Sequence, residues 1–139
     1  MMINLCKNRA TTWMLTSAAS TAAVVTLLLA PDRVIGWVHL VLDRVLWGDL
    51  IGHAALMGGL TAVLYAGMRF GFRRRFSQSL ALAIFATLAI SAITEAMQLF
   101  MEGRTPDRAD FTANLLGIFI TTSAICYQRL RVMFHNETI

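Results

Sequence analysis

The chain has 139 residues, of which 57% are hydrophobic and 14% charged, against roughly 25% charged in an ordinary soluble domain. At a mean hydropathy of +0.62, a soluble core of this size cannot hide so much apolar surface, because small domains bury only about two-thirds of what they expose unfolded. A disordered tail or a disulfide-stapled secreted module needs a different composition, so the composition is that of a membrane protein. The net charge of +4 does not point to nucleic acid. Apart from Arg73, Arg74 and Arg75, the basic residues are scattered through short connecting segments and form no phosphate-binding stripe. Cys6 and Cys126 stand near opposite ends, without metal or redox spacing, and read as small apolar fillers.

Four stretches lack Asp, Glu, Lys and Arg: residues 10–31, 50–68, 76–94 and 111–128. Each approaches the ~20 residues that cross a hydrocarbon core. They predict an all-α, polytopic membrane fold with four transmembrane helices, over residues 11–31, 48–69, 77–101 and 109–131, in one domain covering residues 1–139. Lys7 and Arg9 ahead of the first apolar run resemble a secretory leader. The run is longer than the ~7–15 residues of a leader's apolar region and stops at Pro31, so it reads as a retained helix. Residues 34–47, with Trp37 and Trp47, are amphipathic and too short to span, which predicts a segment lying in the headgroup region.

Lysine and arginine in the short connections predict the orientation. Lys7 and Arg9 mark the N-terminal segment, Arg69 and Arg73 to Arg75 the second connection, which has no acid, and Arg129 and Arg131 the C-terminal end. The first and third connections mix Arg33, Arg44, Arg104 and Arg108 with Asp32, Asp43, Asp49, Glu102, Asp107 and Asp110. Both termini and the arginine-rich connection are therefore expected on the cytoplasmic side of the cell membrane, with the mixed connections outside.

Polar residues inside such spans are costly, ~2.5–3.5 kcal/mol for an acid or base at a helix centre. Asp49 and His53 open the second predicted helix four residues apart, and so share a face. Glu95 and Gln98 lie near the end of the third, and Asp110 and Asn114 begin the fourth, with Gly117 continuing that stripe. Because the helices alternate in direction, all three pairs fall at similar depth in the outer leaflet, and one polar cluster is the simplest arrangement. Asp49 and Asp110 also suit helix starts, as caps or first-turn carboxylates. Glu95 sits at the wrong end of its helix for that and needs a partner such as Arg104 or His53. Ala54-x-x-x-Gly58 and Ala55-x-x-x-Gly59 are small-xxx-small patterns that let a neighbouring helix approach closely.

The ordered set Asp49-x-x-x-His53, Glu95-x-x-Gln98, Gly103-Arg104-x-x-Asp107-x-x-Asp110-x-x-x-Asn114-x-x-Gly117 resembles the VanZ-like family of small membrane proteins. The resemblance runs from Gly48 to Phe119, about half the chain. Residue by residue, it marks Asp49, His53, Glu95, Gln98, Arg104, Asp110, Asn114 and Gly117. The departures concern packing: Leu56, Met57 and Gly58 stand where an aromatic residue is common, and Thr121 where a further glycine is expected. The resemblance implies cell-envelope work near the outer leaflet and a link to teicoplanin susceptibility.

Two classes of function follow. In the first, these residues line an outward pocket that binds or acts on a lipid-linked, phosphate-bearing envelope ligand. Asp49, His53, Glu95 and Asp110 are donors suited to Mg²⁺, Mn²⁺ or Zn²⁺, and Arg104 is suited to hold a phosphate. The reaction such a set serves is phosphoryl hydrolysis or transfer, with His53 or Glu95 as general base. No nucleotide loop accompanies it, and the serines (Ser17, Ser20, Ser77, Ser79, Ser91, Ser123) are expected elsewhere. In the second class the chain is a non-catalytic accessory of a larger membrane assembly, and its polar residues only staple the helices together.

Overall fold

The computed structural model describes residues 2–28, 48–100 and 107–136. The headgroup segment expected over residues 34–47, the end of the first expected span and Arg104 lie outside these residues. The described elements are all helices: α1 (Met2–Leu28), α2 (Gly48–Ala66), α3 (Phe76–Gln98) and α4 (Arg108–Asn136), with a π-helical turn, Gly67–Gly71, continuing α2. Three segments are long and apolar enough to cross a membrane, Gly48–Gly71, Phe76–Gln98 and Arg108–His135. The described part of α1 does not reach that mark. Its middle is rich in hydroxyls, and Thr16, Ser17, Thr21 and Thr26 each bond back to the carbonyl four residues earlier, which satisfies the hydroxyl within the helix.

Helix limits differ from those read off charge. α1 begins at Met2, and α4 runs five residues past the expected end at Arg131. Charged residues end a bilayer span, but Lys and Arg are good helix formers and do not end a helix. The expected stop at residue 69 gives way to the π turn, where Phe72 N donates to Gly67 O at 3.2 Å. The chain then reverses through Arg73, whose φ of 53° is left-handed, and Arg69 donates to the Arg74 carbonyl at 3.1 Å.

Packing inverts that of a soluble domain. Thr61, Ser79, Thr87, Ser91, Thr94, Gln98 and Asn114 are buried, while Phe85, Leu99, Phe100, Phe119 and Ile120 are exposed. Lipid gives apolar side chains no reason to turn inward, so small and hydrogen-bonding residues take the helix contacts. Met57, Leu60 and Ile118 form the compact apolar centre. Thr61 and Thr87 meet across α2 and α3 at 3.3 Å, each hydroxyl also held by its own helix at 2.8 Å.

α2 and α4 make the most extensive contact in the bundle. A Cβ on Gly117 would collide with the Ala54 carbonyl group, its carbon at 2.7 Å, and one on Gly58 would meet Thr121 Oγ1 at 2.7 Å. The Ala54/Gly58 face is therefore the one that packs. Gly59, on the other small-residue face, has nothing within 4 Å. Thr121 fills the space that Gly58 leaves. α1 crosses α2 in the same manner: a Cβ on Gly67 would run into Ser17, whose hydroxyl reaches the Val63 carbonyl at 3.2 Å.

Apart from Arg108, the described arginines and acids of α2, α3 and α4 separate to opposite ends. Arg129 near the end of α4 lies over the Phe76 ring at the start of α3, 5.8 Å from its centroid. Tyr65 meets Phe76 edge-on, and Trp13 of α1 meets Phe70. This aromatic end carries Arg69 and Arg73 to Arg75. The starts of α2 and α4 and the end of α3 make the other end, which carries the acids.

Candidate functional site

His53, on the second turn of α2, is held by two residues of α4 spaced one turn apart. Its Nδ1 lies 3.2 Å from Asn114 Oδ1, and its Nε2 lies 3.7 Å from Asp110 Oδ2. Asn114, only 1% exposed, donates through Nδ2 to Ser91 Oγ on α3 at 3.0 Å. A line of side chains thus joins three helices in the order Ser91, Asn114, His53, Asp110. Asn114 fixes the ring: its amide nitrogen is spent on Ser91, so the oxygen faces the imidazole and can only accept. In neutral His53 the proton then sits on Nδ1, and the Nε2 lone pair points toward Asp110.

Asp49 completes this corner. One ligand atom from each of Asp49, His53 and Asp110 lies within 4.8 Å of the other two. Asp49 is exposed, and His53 and Asp110 are half-buried, so the corner is open on one side. Glu95 belongs to the four donors expected from sequence but is not part of this converging trio. It stands half-buried on α3, within electrostatic reach of Asp110, His53 and Asp107. Gln98 is buried one turn further along α3.

The structure refines one sequence expectation and corrects another. The cap of α4 is Asp107, whose Oδ1 accepts from Ala109 N at 2.9 Å; Asp110 is a first-turn carboxylate, as expected, and also faces His53. Ser91, expected away from the cluster, is fully buried within it. A signal for it was present, since Ser91, Glu95 and Gln98 fall at i, i+4 and i+7 on one helix face.

Beside the cluster runs a groove of about 470 Å³ between α2 and α4, lined by Leu50, Ile51, Ala54, Ala113 and Leu116, with Arg108 at its upper rim. Leu50 and Ala54 each follow Asp49 and His53 by one residue, about 100° around the helix, so groove and cluster occupy adjacent faces of the same pair of helices. Arg108 is a cation that sequence reading assigned only to orientation.

The described residues define a helical protein with three membrane-length apolar helices, joined by a polar cluster. No protein-family model, curated protein or solved structure matches the chain.

Proposed function

We propose that the chain is a VanZ-like membrane protein whose acid-bearing end faces outward and binds a lipid-linked anionic ligand of the cell envelope. The observation that carries the reading is the groove with Arg108 at its rim, opening beside Asp49, His53 and Asp110. An apolar chain fits between α2 and α4, and a phosphate at its head meets a guanidinium able to hold two of its oxygens. The arginine-rich opposite end supports placing both termini in the cytoplasm. By the family resemblance, Arg104 and Gln98 are functional residues as well, and cellular teicoplanin susceptibility is the phenotype served. Hydrolysis or transfer at phosphorus is the chemistry this reading allows, with Glu95, half-buried on α3, as its candidate general base.

A second reading has its own support. The Ser91–Asn114–His53–Asp110 line joins three helices, which suits a staple in an accessory subunit of a membrane assembly. Asp49 separates the two readings because it is exposed at the helix start and contributes little to packing. For Asp49→Asn we expect normal amounts of membrane-inserted protein with a lost susceptibility phenotype. An unchanged phenotype at normal protein level favours the staple.

A further inference from the structure

The geometry points to a divalent transition-metal site, of the Zn²⁺ type, held by His53 Nε2 and one carboxylate oxygen each from Asp49 and Asp110. It extends the proposed pocket but does not depend on a lipid ligand.

The separation of the donors is the first argument. Nε2 and Asp110 Oδ2 are 3.7 Å apart, beyond the 2.7–3.2 Å of a hydrogen bond. Two donors each ~2.1 Å from one tetrahedral ion stand ~3.4 Å from each other. The pair is thus spaced for a shared cation more closely than for a shared proton. Asp49 falls within the same 4.8 Å compass and, being exposed, has the freedom to close the remaining distance.

The second argument comes from the other side of the ring. A metal-binding histidine needs its second nitrogen held by an acceptor, so that the lone pair is presented to the ion and the ring cannot turn away. Asn114 does this, and it is itself oriented by Ser91, both residues being buried to within 1%. A staple needs only one such bond. Here a buried amide is spent on directing the imidazole toward two carboxylates on the open side.

The third argument is charge. Among the described residues, this end brings Asp49, Glu95, Asp107 and Asp110 together around His53, with Arg108 at the groove rim. A dication offsets that excess of acid where it is densest. Three protein donors leave a coordination position open to water or an anionic ligand. Nitrogen among the donors favours Zn²⁺ over Mg²⁺ or Ca²⁺, which prefer all-oxygen sets.

The test uses the full chain in detergent, tag removed and lipid-free, with Zn²⁺ in equilibrium dialysis and Co²⁺ in visible absorption. We expect one equivalent bound by the wild type, and affinity at least about tenfold weaker in Asp110→Asn, with Asn114→Ala losing about 10–100-fold through the misdirected ring. Asp49→Cys alters only an exposed side chain and should add a thiolate-to-Co²⁺ charge-transfer band absent from the wild type, whatever the fate of the buried variants. Failure of the wild type to bind either metal, or a folded Asp49→Cys protein without that band, overturns the site. Because no lipid is present, neither result bears on whether the groove takes a lipid-linked phosphate.

Discussion

Gly117→Leu is expected to separate α2 from α4 and to remove most folded protein from the membrane, whereas Gly59→Leu is expected to leave stability nearly unchanged. The two glycines are equally apolar and equally helical, and a count of small residues does not tell them apart. What differs is the neighbour. Any side chain on Gly117 must begin inside the Ala54 backbone, while Gly59 has nothing within 4 Å. Backbone atoms cannot rotate aside as a side chain end can, so even Gly117→Ala forces the helices apart, at about 1–3 kcal/mol for overpacking and more for Leu. The displaced contact also carries His53 and Asn114, so Gly117→Ala should lower metal binding and stability together. Thermal unfolding in detergent followed by circular dichroism checks the order: wild type and Gly59→Leu close together, Gly117→Ala lower, Gly117→Leu lowest. A Gly117→Leu protein as stable as the wild type would contradict the packing described here.

The second large effect is expected at Asn114. Asn114→Ala removes bonds to both Ser91 and His53, leaving a buried hydroxyl and one ring nitrogen without their partners. Inter-helix hydrogen bonds within membranes are worth about 0.6 kcal/mol on average and up to about 1.7, so the loss should reach about 1–3 kcal/mol. A double-mutant cycle with Ser91→Ala isolates the Asn114–Ser91 term, and a coupling of roughly 0.6–1.7 kcal/mol is expected. Strict additivity of the two losses would show that Asn114 is not oriented through Ser91, and the argument for the His53 tautomer would go with it.

The pairs Asp49/His53 and Asp110/Asn114 were legible in the sequence because four-residue spacing places side chains on one helix face whatever the tertiary fold. Alternating helix direction then brought the starts of α2 and α4 to the same end as Glu95. Sequence periodicity stops short of the choice between faces. Ala54/Gly58 and Ala55/Gly59 carry the same pattern, and only the position of Gly117 opposite Ala54 decides between them. Ser91 escaped notice for a related reason: a serine in an apolar helix is ordinarily satisfied by its own backbone, and its service to Asn114 depends on a neighbour 23 positions away. In the sequence Arg108 is indistinguishable from a topology signal, because its place beside the groove exists only once α2 and α4 are packed. The extra lengths of α1 and α4 were hidden because charge marks the edges of a bilayer and not those of a helix.

Binding of a polyprenyl monophosphate to the wild-type chain, compared with the uncharged polyprenol and with Arg108→Gln, tests the proposed role most directly. Native mass spectrometry from detergent, with both lipids at equal concentration, reads all three. Retention of the phosphate over the alcohol is expected, with a loss of roughly tenfold or more in Arg108→Gln, in line with about 1.5–3 kcal/mol for a hydrogen bond to a charged group. Equal retention of phosphate and alcohol, or an Arg108→Gln protein that binds the phosphate as the wild type does, would contradict the proposed role.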